Sequence, residues 1–478
     1  MRTRCFGFLL IVLMPTAALL PTPSAWADGP WTTYRGNPQR SGNTDGKPGP
    51  AMPKVLWALK STDHFIASPV PAGDKLIVSA IGGLNVPSVF ALPLDGKGKV
   101  AQLWLRTTPY LTMPTVSSPA LLGERLVLGD GMHQSNGAFL HCWQLADGEP
   151  IWQLRLPGEL VHLEGSPTVA NQRVFIGGGA AGVLCVDPER LMLEGKAMTQ
   201  AEISKLLAAR WQAMLQRYEQ EKKADPDFAI PPSKDQLPRP SPTIVWQQGK
   251  DRWHVDAPVN VQGELVLVGS AFLDKEKVGD RALFALKAAD GKQVWRQPLK
   301  YNPWGGPSVA NGIVVVAGST IAYDTKALKG AKGNISAFDL ATGTPKWSKD
   351  LPGGVLGSVA IADGLVVAAA TDGKVRGFDL VTGDRRWIYE AKTPCFAPPA
   401  VVGKVAYVGD LLGVVHAIDT TTGAAVWTLD LGKDPATAAP GMIYGGPVVH
   451  GGRIYVATCN LEGPNAGKGT VIACIGSR

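Results

Sequence analysis

The sequence predicts an all-β protein, an eight-bladed β-propeller built from four-stranded antiparallel blades. Three observations lead to this prediction. Tryptophans recur at intervals of 40 to 52 residues, with one longer interval of 94. Proline-led apolar runs recur in step with them, and 56 glycines and 38 prolines supply many turns. Repeats of about 40–50 residues with this composition are typical of propeller blades.

A turn motif precedes the best-defined tryptophans. Asp-x-x-Thr-Gly-x-x-x-Trp occurs in full at 339–347, 379–387 and 419–427. The Thr-Gly pair makes the turn between the last two strands of a blade, and the Trp lies on the outer strand. A large flat side chain in that position fills the gap between neighbouring blades, so we interpret the tryptophans as structural. They are Trp57, Trp104, Trp152, Trp246, Trp295, Trp347, Trp387 and Trp427.

The two ends of the chain indicate how the ring closes. The C-terminal unit, from 446 to 475, has three predicted strands and no Trp, whereas 55–59 is a lone Trp strand. We predict that this N-terminal strand completes the last blade, which leaves no open sheet edge.

The chain divides into a leader, an extension and the propeller. Arg2 and Arg4 precede an apolar stretch, and Ala25-Trp26-Ala27 fits a cleavage site, so we interpret residues 1–27 as a signal peptide. Residues 28–52 form an N-terminal extension and residues 53–478 the propeller. We therefore expect an exported, periplasmic or extracellular, soluble and monomeric protein that does not span the membrane.

One insertion, residues 188–242 in blade 3, accounts for the long Trp interval. Thr199 and Glu202 form a capping-box pattern, apolar residues follow at helical spacing, and Asp225-Pro226 ends the predicted helix. The apolar stripe packs either on the outer wall of the propeller or against a partner. In the second case Trp211 and Tyr218 would be the anchors of a docking helix.

Charge and motifs exclude several functions. The formal net charge is +7, and Lys and Arg form no stripes, so no nucleic-acid partner is expected. Nucleophile-elbow, zincin and P-loop motifs are absent from the sequence. The repeat register places Cys142 and Cys185 as small core residues, and we leave open a disulfide between Cys459 and Cys474.

One weak constellation remains. The connections between blades meet near the axis on one face, and several carry an aromatic or imidazole group just before the blade-opening proline. Such residues either plug the channel or form a ligand or partner site. A metal site is not expected, because His64, His162 and His254 come from different blades. Longer loops on the same face, such as 130–137, 272–280, 320–332 and 460–468, favour it as the working face. The candidates are His64, His162, Trp253, His254, Trp304, Phe396 and Tyr444.

The three full motifs resemble the repeats of the pyrroloquinoline-quinone-like, or quinoprotein, β-propeller family. The segment 31–42 is similar to the N-terminal stretch of exported proteins of this class. The resemblance implies one of two activities. One branch contains alcohol and sugar dehydrogenases, which bind the quinone (PQQ) over Ca²⁺ on the axis. The other resembles the outer-membrane assembly factor of the β-barrel assembly machinery, a scaffold without enzymatic activity.

These observations favour a non-catalytic exported scaffold that binds a protein or small ligand through the loop-rich face, with no cofactor. A quinone- and calcium-dependent oxidoreductase is the first alternative, although the sequence lacks the adjacent cysteine pair of many alcohol dehydrogenases. A carbohydrate-binding propeller that uses the axial aromatic residues is the second alternative.

Overall fold

A computed structural model describes residues 29–96, 100–133 and 135–477. The predicted signal peptide, residues 1–27, lies outside the described residues. The chain forms eight antiparallel sheets arranged in a ring, in which the inner strands of successive sheets contact one another. The predicted fold class is therefore confirmed, including the single helix of the insertion.

The first four blades follow an N-terminal strand, β1 (Lys54–Ser61). Blade 1 consists of β2 (Val70–Ala72), β3 (Lys75–Ile81), β4 (Pro87–Pro93) and β5 (Trp104–Arg106). Blade 2 consists of β6 (Ala120–Leu122), β7 (Arg125–Gly129), β8 (Ala138–Gln144) and β9 (Pro150–Leu156). Blade 3 consists of β10 (Thr168–Ala170), β11 (Arg173–Gly177), β12 (Val183–Leu193), β13 (Lys196–Met198) and β14 (Ser241–Gln248), with α1 (Gln200–Ala224) between the last two. Blade 4 consists of β15 (Asn260–Gln262), β16 (Leu265–Leu273), β17 (Val278–Lys287) and β18 (Gln293–Pro298).

The remaining blades are more regular. Blade 5 consists of β19 (Ser308–Ala310), β20 (Ile313–Ser319), β21 (Gly333–Asp339) and β22 (Pro345–Leu351). Blade 6 consists of β23 (Ala360–Ala362), β24 (Leu365–Ala369), β25 (Lys374–Asp379) and β26 (Arg385–Glu390). Blade 7 consists of β27 (Ala400–Val402), β28 (Val405–Gly409), β29 (Val414–Asp419) and β30 (Ala425–Asp430). Blade 8 consists of β31 (Val448–His450), β32 (Arg453–Ala457) and β33 (Thr470–Gly476), and β1 is its outer strand, as the sequence predicted. Three short 3₁₀ helices lie at Gly83–Asn85, Lys234–Gln236 and Thr325–Ala327.

The tryptophan repeat joins each blade to the next. The Trp347 indole donates its Nε1 proton to the carbonyl oxygen of Leu380 in blade 6 at 2.9 Å. The ring lies over Gly383, where a Cβ atom would come within 2.5 Å of it. The Asp379 carboxylate fixes that turn by accepting hydrogen bonds from the amides of Val381 and Thr382. The motif therefore supplies a turn and a glycine without a side chain, on which the tryptophan of the preceding blade packs.

The residue paired with each tryptophan on the third strand is small. Ala337 pairs with Trp347, and Gly377 pairs with Trp387. Cys142 pairs with Trp152 and Cys185 with Trp246, in the register that the repeats predicted. Among the described residues all five cysteines are free and buried, including Cys459 and Cys474, whose pairing the sequence left open.

The helix of the insertion begins as the sequence predicted, although β12 continues past residue 188 to Leu193. Thr199 caps α1, and its hydroxyl accepts a hydrogen bond from the amide of Glu202. The Glu202 carboxylate in turn accepts a hydrogen bond from the amide of Thr199. Asp225 is the C-cap residue. No helix within the described ranges is both long and apolar enough to cross a bilayer.

The N-terminal extension fills the centre of the ring. Residues 31–43, called here the axial plug, present carbonyl groups to the middle residue of most inner strands. Inner-strand amides donate to the plug carbonyls in these pairs: Leu121 to Trp31, Val169 to Thr32, Val309 to Pro38, Ile361 to Gln39, Val401 to Ser41 and Val449 to Gly42, at 2.7–2.9 Å. In blade 4 the Asn260 amide side chain makes the equivalent contact with Pro38. The plug therefore satisfies inner-edge donors that would otherwise face an open channel.

Candidate functional site

The two faces of the ring differ in construction. Tight turns between strands one and two and between strands three and four lie on one face, called the turn face. The connections between blades and the loops between strands two and three lie on the other, called the loop-rich face. The sequence predicted this division, and the axial candidates lie in the connections of the loop-rich face.

Two arginines of the axial plug lie beneath the centre of the loop-rich face. Arg35 donates to the carbonyl oxygens of Gly446, Pro447 and Pro399, the first two at 2.9 and 2.6 Å. Arg40 donates to the carbonyl of Val259 at 2.7 Å. Burial lowers the pKa of Arg35 to about 10 and that of Arg40 to about 9, so both stay charged at neutral pH. Both guanidinium groups are buried and donate to carbonyl groups of the blades, while the Arg35 Nε atom has no hydrogen-bond partner among the described residues.

An axial aromatic cluster, consisting of Trp304, Tyr323, Phe396 and Tyr444, covers one side of the axis. Ring centroids lie 5.8 Å apart for Tyr323 and Phe396, and 5.5 Å apart for Phe396 and Tyr444. The Tyr444 hydroxyl donates to Glu462 Oε1 at 2.5 Å. Burial and then that carboxylate raise the pKa of Tyr444 far above its usual value. The Trp304 indole donates to the Ile321 carbonyl at 2.9 Å, which holds the 320–332 loop over the axis.

A histidine cluster, consisting of His133, His162, His254 and Asp256, lies on blades 2 to 4. His162 and His254 come from successive connections between blades, and His133 comes from the loop between β7 and β8. Asp256 Oδ1 lies 2.8 Å from His162 Nε2, and Asp256 Oδ2 lies 3.0 Å from His254 Nε2. The sequence analysis expected no metal site, because its three candidate histidines come from different blades. The structure brings His162 and His254 together with His133, while His64 lies elsewhere.

Charges in the histidine cluster are distributed unevenly. Burial opposes ionisation of Asp256, but the two imidazoles outweigh it and hold the pKa of this carboxyl well below its usual range. Burial likewise opposes the charge on His162, and the Asp256 carboxylate still gives a net raised pKa. Burial lowers the pKa of His133. Burial and the nearby Asp256 raise the pKa of Glu164 to about 7, although the His133 amide donates a hydrogen bond to it.

Tyr323 belongs to the axial aromatic cluster, where its hydroxyl donates to the Leu356 carbonyl at 3.0 Å. Tyr34 belongs to the axial plug, and the Arg40 guanidinium lies 5.4 Å from its ring centroid. The blade connections and the loops between second and third strands both contribute side chains to the loop-rich face.

Two sequence candidates lie outside the two clusters. His64 is half-buried in the connection that leads to blade 1, where its Nδ1 accepts a hydrogen bond from the amide of Asn460 at 3.1 Å. Trp253 turns away from the axis and stacks on Phe284 of β17, with ring centroids 4.0 Å apart. Trp253 is 8% exposed and lines a cavity of about 400 Å³ together with Phe284, and its role in the carbohydrate alternative stays a prediction.

Exposed apolar side chains mark the tips of the loops on the same face. We call them the loop-tip residues: Leu84, Val86, Tyr323, Leu412 and Leu461, all 42% exposed or more. They belong to the loops between the second and third strands of blades 1, 5, 7 and 8. The sequence did not single them out, because exposure cannot be read from residue type.

The predicted docking helix is only partly covered. Ile203 is buried against blade 3, and Leu206 and Leu207 pack partly on the same core. Trp211 and Tyr218 are half-buried. Their role as anchors for a partner stays a prediction.

A family model described as outer membrane protein assembly factor BamB matches residues 50–209, 237–329 and 323–463. This chain belongs to the BamB family. A search of curated proteins found no match. The BamB match covers blades 1 to 7 and the first two strands of blade 8, and it excludes the whole axial plug, β33 and residues 210–236 of the insertion. The family shares the quinoprotein repeat that the sequence motifs indicated.

Solved structures with the same fold include BamB itself. BamB from Moraxella catarrhalis is 15% identical, with a TM-score of 0.56 over 89% of this chain and 98% of that one. A europium-containing methanol dehydrogenase is 13% identical, with a TM-score of 0.62 over 94% and 98%. The computationally designed Ika8 protein is 12% identical, with a TM-score of 0.56 over 88% and 99%. At these identities the likeness establishes the fold alone.

The residues at the axis fit a quinone and calcium poorly. Calcium takes about six to eight oxygen ligands. The acidic groups of the histidine cluster and its surroundings are Asp256, which contacts two imidazoles, and Glu164, which binds an amide. The quinone carries carboxylates that need cations, yet Arg35 and Arg40 are buried and donate to backbone carbonyls of the blades. The donor set is therefore mainly imidazole.

Proposed function

We propose that this BamB-family chain is an exported, non-catalytic scaffold that docks a partner protein of the cell envelope on its loop-rich face. The observation that carries the proposal is the set of exposed apolar side chains at the loop tips of blades 1, 5, 7 and 8, on the face that also carries the axial aromatic cluster. Exposed apolar patches on soluble proteins commonly mark binding sites.

Exposure at the loop tips is substantial. Leu84 is fully exposed, and Leu412 and Leu461 are 44% and 45% exposed. The same face carries a buried apolar cluster that includes Leu411, Phe396 and Met442. Aromatic residues are enriched in protein interfaces and among their hot spots.

The turn face presents fewer apolar side chains at its hairpin turns to a partner protein. Its hairpin turns are polar or glycine pairs, such as Gly73-Asp74, Asn311-Gly312 and Asp363-Gly364. Its Asp-x-x-Thr-Gly turns use their carboxylates on their own amides, as Asp339 and Asp419 do. The axial plug also fills the channel, which favours binding on a surface over passage through the ring.

Site-specific photo-cross-linking tests the proposal. A photoreactive amino acid is placed at Leu412 or Leu461 in the full-length chain, expressed in the cells that normally make it. Val381, which is 67% exposed on a turn of blade 6, provides the matched control on the turn face. We expect one shared protein adduct from both loop-tip positions and none of that mass from Val381.

A second variant set measures affinity for the partner identified in this way. Leu412→Asp and Leu461→Asp should each weaken its binding to the purified protein by about tenfold or more, because a charge replaces a desolvated apolar contact. Val381→Asp should leave binding unchanged. Adducts of equal yield from all three positions, or equal affinity in all three variants, would overturn the proposal.

A further inference from the structure

We propose that His133, His162, His254 and Asp256 form a binding site for one divalent transition-metal ion, with Zn²⁺ as the reference ion. This site is separate from the docking role proposed above and does not depend on it.

The geometry of the cluster converges on one point. Each residue offers one ligand atom, and all four atoms lie within 4.8 Å of one another. The three imidazole centroids form a nearly equilateral triangle, with separations of 5.2, 5.6 and 5.6 Å. Zn–N bonds of about 2.0–2.1 Å place tetrahedral ligands about 3.3 Å apart, so small side-chain movements complete the site.

Burial supplies the second, independent observation. His162 and His254 are completely buried, and Asp256 is 9% exposed. Neither ring nitrogen of His254 has an aligned hydrogen-bond partner among the described residues, although Nε2 is only 3.0 Å from Asp256 Oδ2. Leaving such a buried atom unpaired costs about 1–3 kcal/mol. A bound metal ion would accept the lone pair of a His254 ring nitrogen, which has no hydrogen-bond donor next to it.

The donor set selects the class of metal. Three imidazoles and one carboxylate suit Zn²⁺, Cu²⁺, Ni²⁺ or Fe²⁺, whereas Ca²⁺ and Mg²⁺ require more oxygen ligands. Asp256 supplies one negative charge, which offsets half of the charge of a divalent ion in a site with little water. The site therefore differs in chemistry from a calcium-dependent quinone site.

His133, the half-buried residue of the histidine cluster, gives a metal ion access to the site from solvent. His133 is the most exposed residue of the four and lies on the solvent side of the two buried imidazoles. The Glu164 carboxylate accepts a hydrogen bond from the His133 amide and so fixes the loop that carries this ligand. Glu164 is a positioning residue in this arrangement.

A metal titration tests the site. Tag-free protein, residues 28–478, is treated with a chelator and titrated with Zn²⁺ by calorimetry and with Co²⁺ by visible absorption. We expect one equivalent of each metal to bind, with the intense d–d bands of four-coordinate Co²⁺. A parallel titration with Ca²⁺ should show no saturable heat at the same concentrations.

Three variants assign the ligands. His133→Ala and Asp256→Asn should each weaken Zn²⁺ binding by more than about tenfold and reduce the Co²⁺ bands. His64→Ala is the matched control, because His64 is half-buried on the same face but outside the cluster, and it should bind like the wild type. Absence of saturable Zn²⁺ and Co²⁺ binding would overturn the proposal. So would equal binding by wild type, His133→Ala and Asp256→Asn while their circular dichroism shows the native fold.

Discussion

Two tryptophans in the same repeat position should differ in how much the Trp→Phe substitution destabilises the fold. The Trp295 indole donates to the Leu340 carbonyl in the next blade at 3.0 Å. Trp152 faces blade 3, where the insertion follows Asp187 and replaces the motif turn. Its Nε1 atom is buried without a hydrogen-bond partner among the described residues. Both rings are nearly fully buried, 7% and 0% exposed, so Trp→Phe removes similar apolar area from each.

The difference between the two variants isolates the indole N–H. Trp295→Phe loses a hydrogen bond whose net contribution is about 0.5–1.5 kcal/mol. Trp152→Phe removes an unpaired buried donor whose desolvation costs about 1–3 kcal/mol. The shared loss of area cancels, so Trp295→Phe should be less stable than Trp152→Phe by about 1.5–4.5 kcal/mol.

Scanning calorimetry of the mature chain measures this difference. An unfolding entropy of about 2.1 cal/mol/K per residue gives roughly 0.9 kcal/mol/K for about 450 residues, so the Tm of Trp152→Phe should be higher by about 2–5 °C. Equal Tm values, or a lower Tm for Trp152→Phe, would refute the assignment of the N–H group as the differing contribution.

Three further predictions follow from the fold. Deleting residues 29–46 should lower the Tm by several degrees, because inner-strand amides of six blades lose their acceptors. An unchanged Tm would contradict a stabilising role for the axial plug. The Arg386 guanidinium, followed by turn amides, holds the pKa of Asp379 at about 2. A lowered carboxyl pKa stabilises the fold above the unfolded value of about 4, and this contribution is lost as pH falls toward 2. Asp379→Asn should therefore flatten the acid limb of the stability curve, and an unchanged limb would count against the ion pair. Burial raises the pKa of Cys142, Cys185, Cys395, Cys459 and Cys474, so a thiol reagent should label none of them before denaturation. Fast labelling of the native protein would contradict their burial.

The repeat made the fold predictable because one motif carries several local signals. Asp379 and Gly383 specify a turn, Trp387 specifies the outer strand, and the Asn311-Gly312 pair specifies an inner hairpin. Each of these signals depends on only a few neighbouring residues, so the turns and strands can be predicted from the sequence. Closure by β1 was predictable from the same counting, since three strands at one end need a fourth.

The plug was not predictable in the same way. Its contacts are backbone carbonyls that meet amides more than a hundred residues away, as between Gln39 and Ile361. Arg35 and Arg40 adopt positive φ angles of 59° and 57°. Arginine does not favour this conformation, so the residue types in the segment do not predict it. Sequence similarity marked the segment as common to the class without indicating that it lies on the axis.

The site was half predictable. Proline-led connections placed His162 and His254 on the correct face, but spacing along the chain could not reveal that adjacent connections bring them together. One signal was present: His162-Leu-Glu164 and His254-Val-Asp256 repeat a His-x-acid pattern in successive connections. His133 and Tyr323 come from loops, whose conformation depends on tertiary contacts.

Hydrogen exchange of the chain alone and in complex with its cross-linked partner tests the docking proposal most directly. We predict protection of peptides that contain Leu84, Tyr323, Leu412 and Leu461, and unchanged exchange at the turns around Val381 and Asp363. Protection confined to the turn face, or to α1, would contradict the assignment of the loop-rich face as the binding surface.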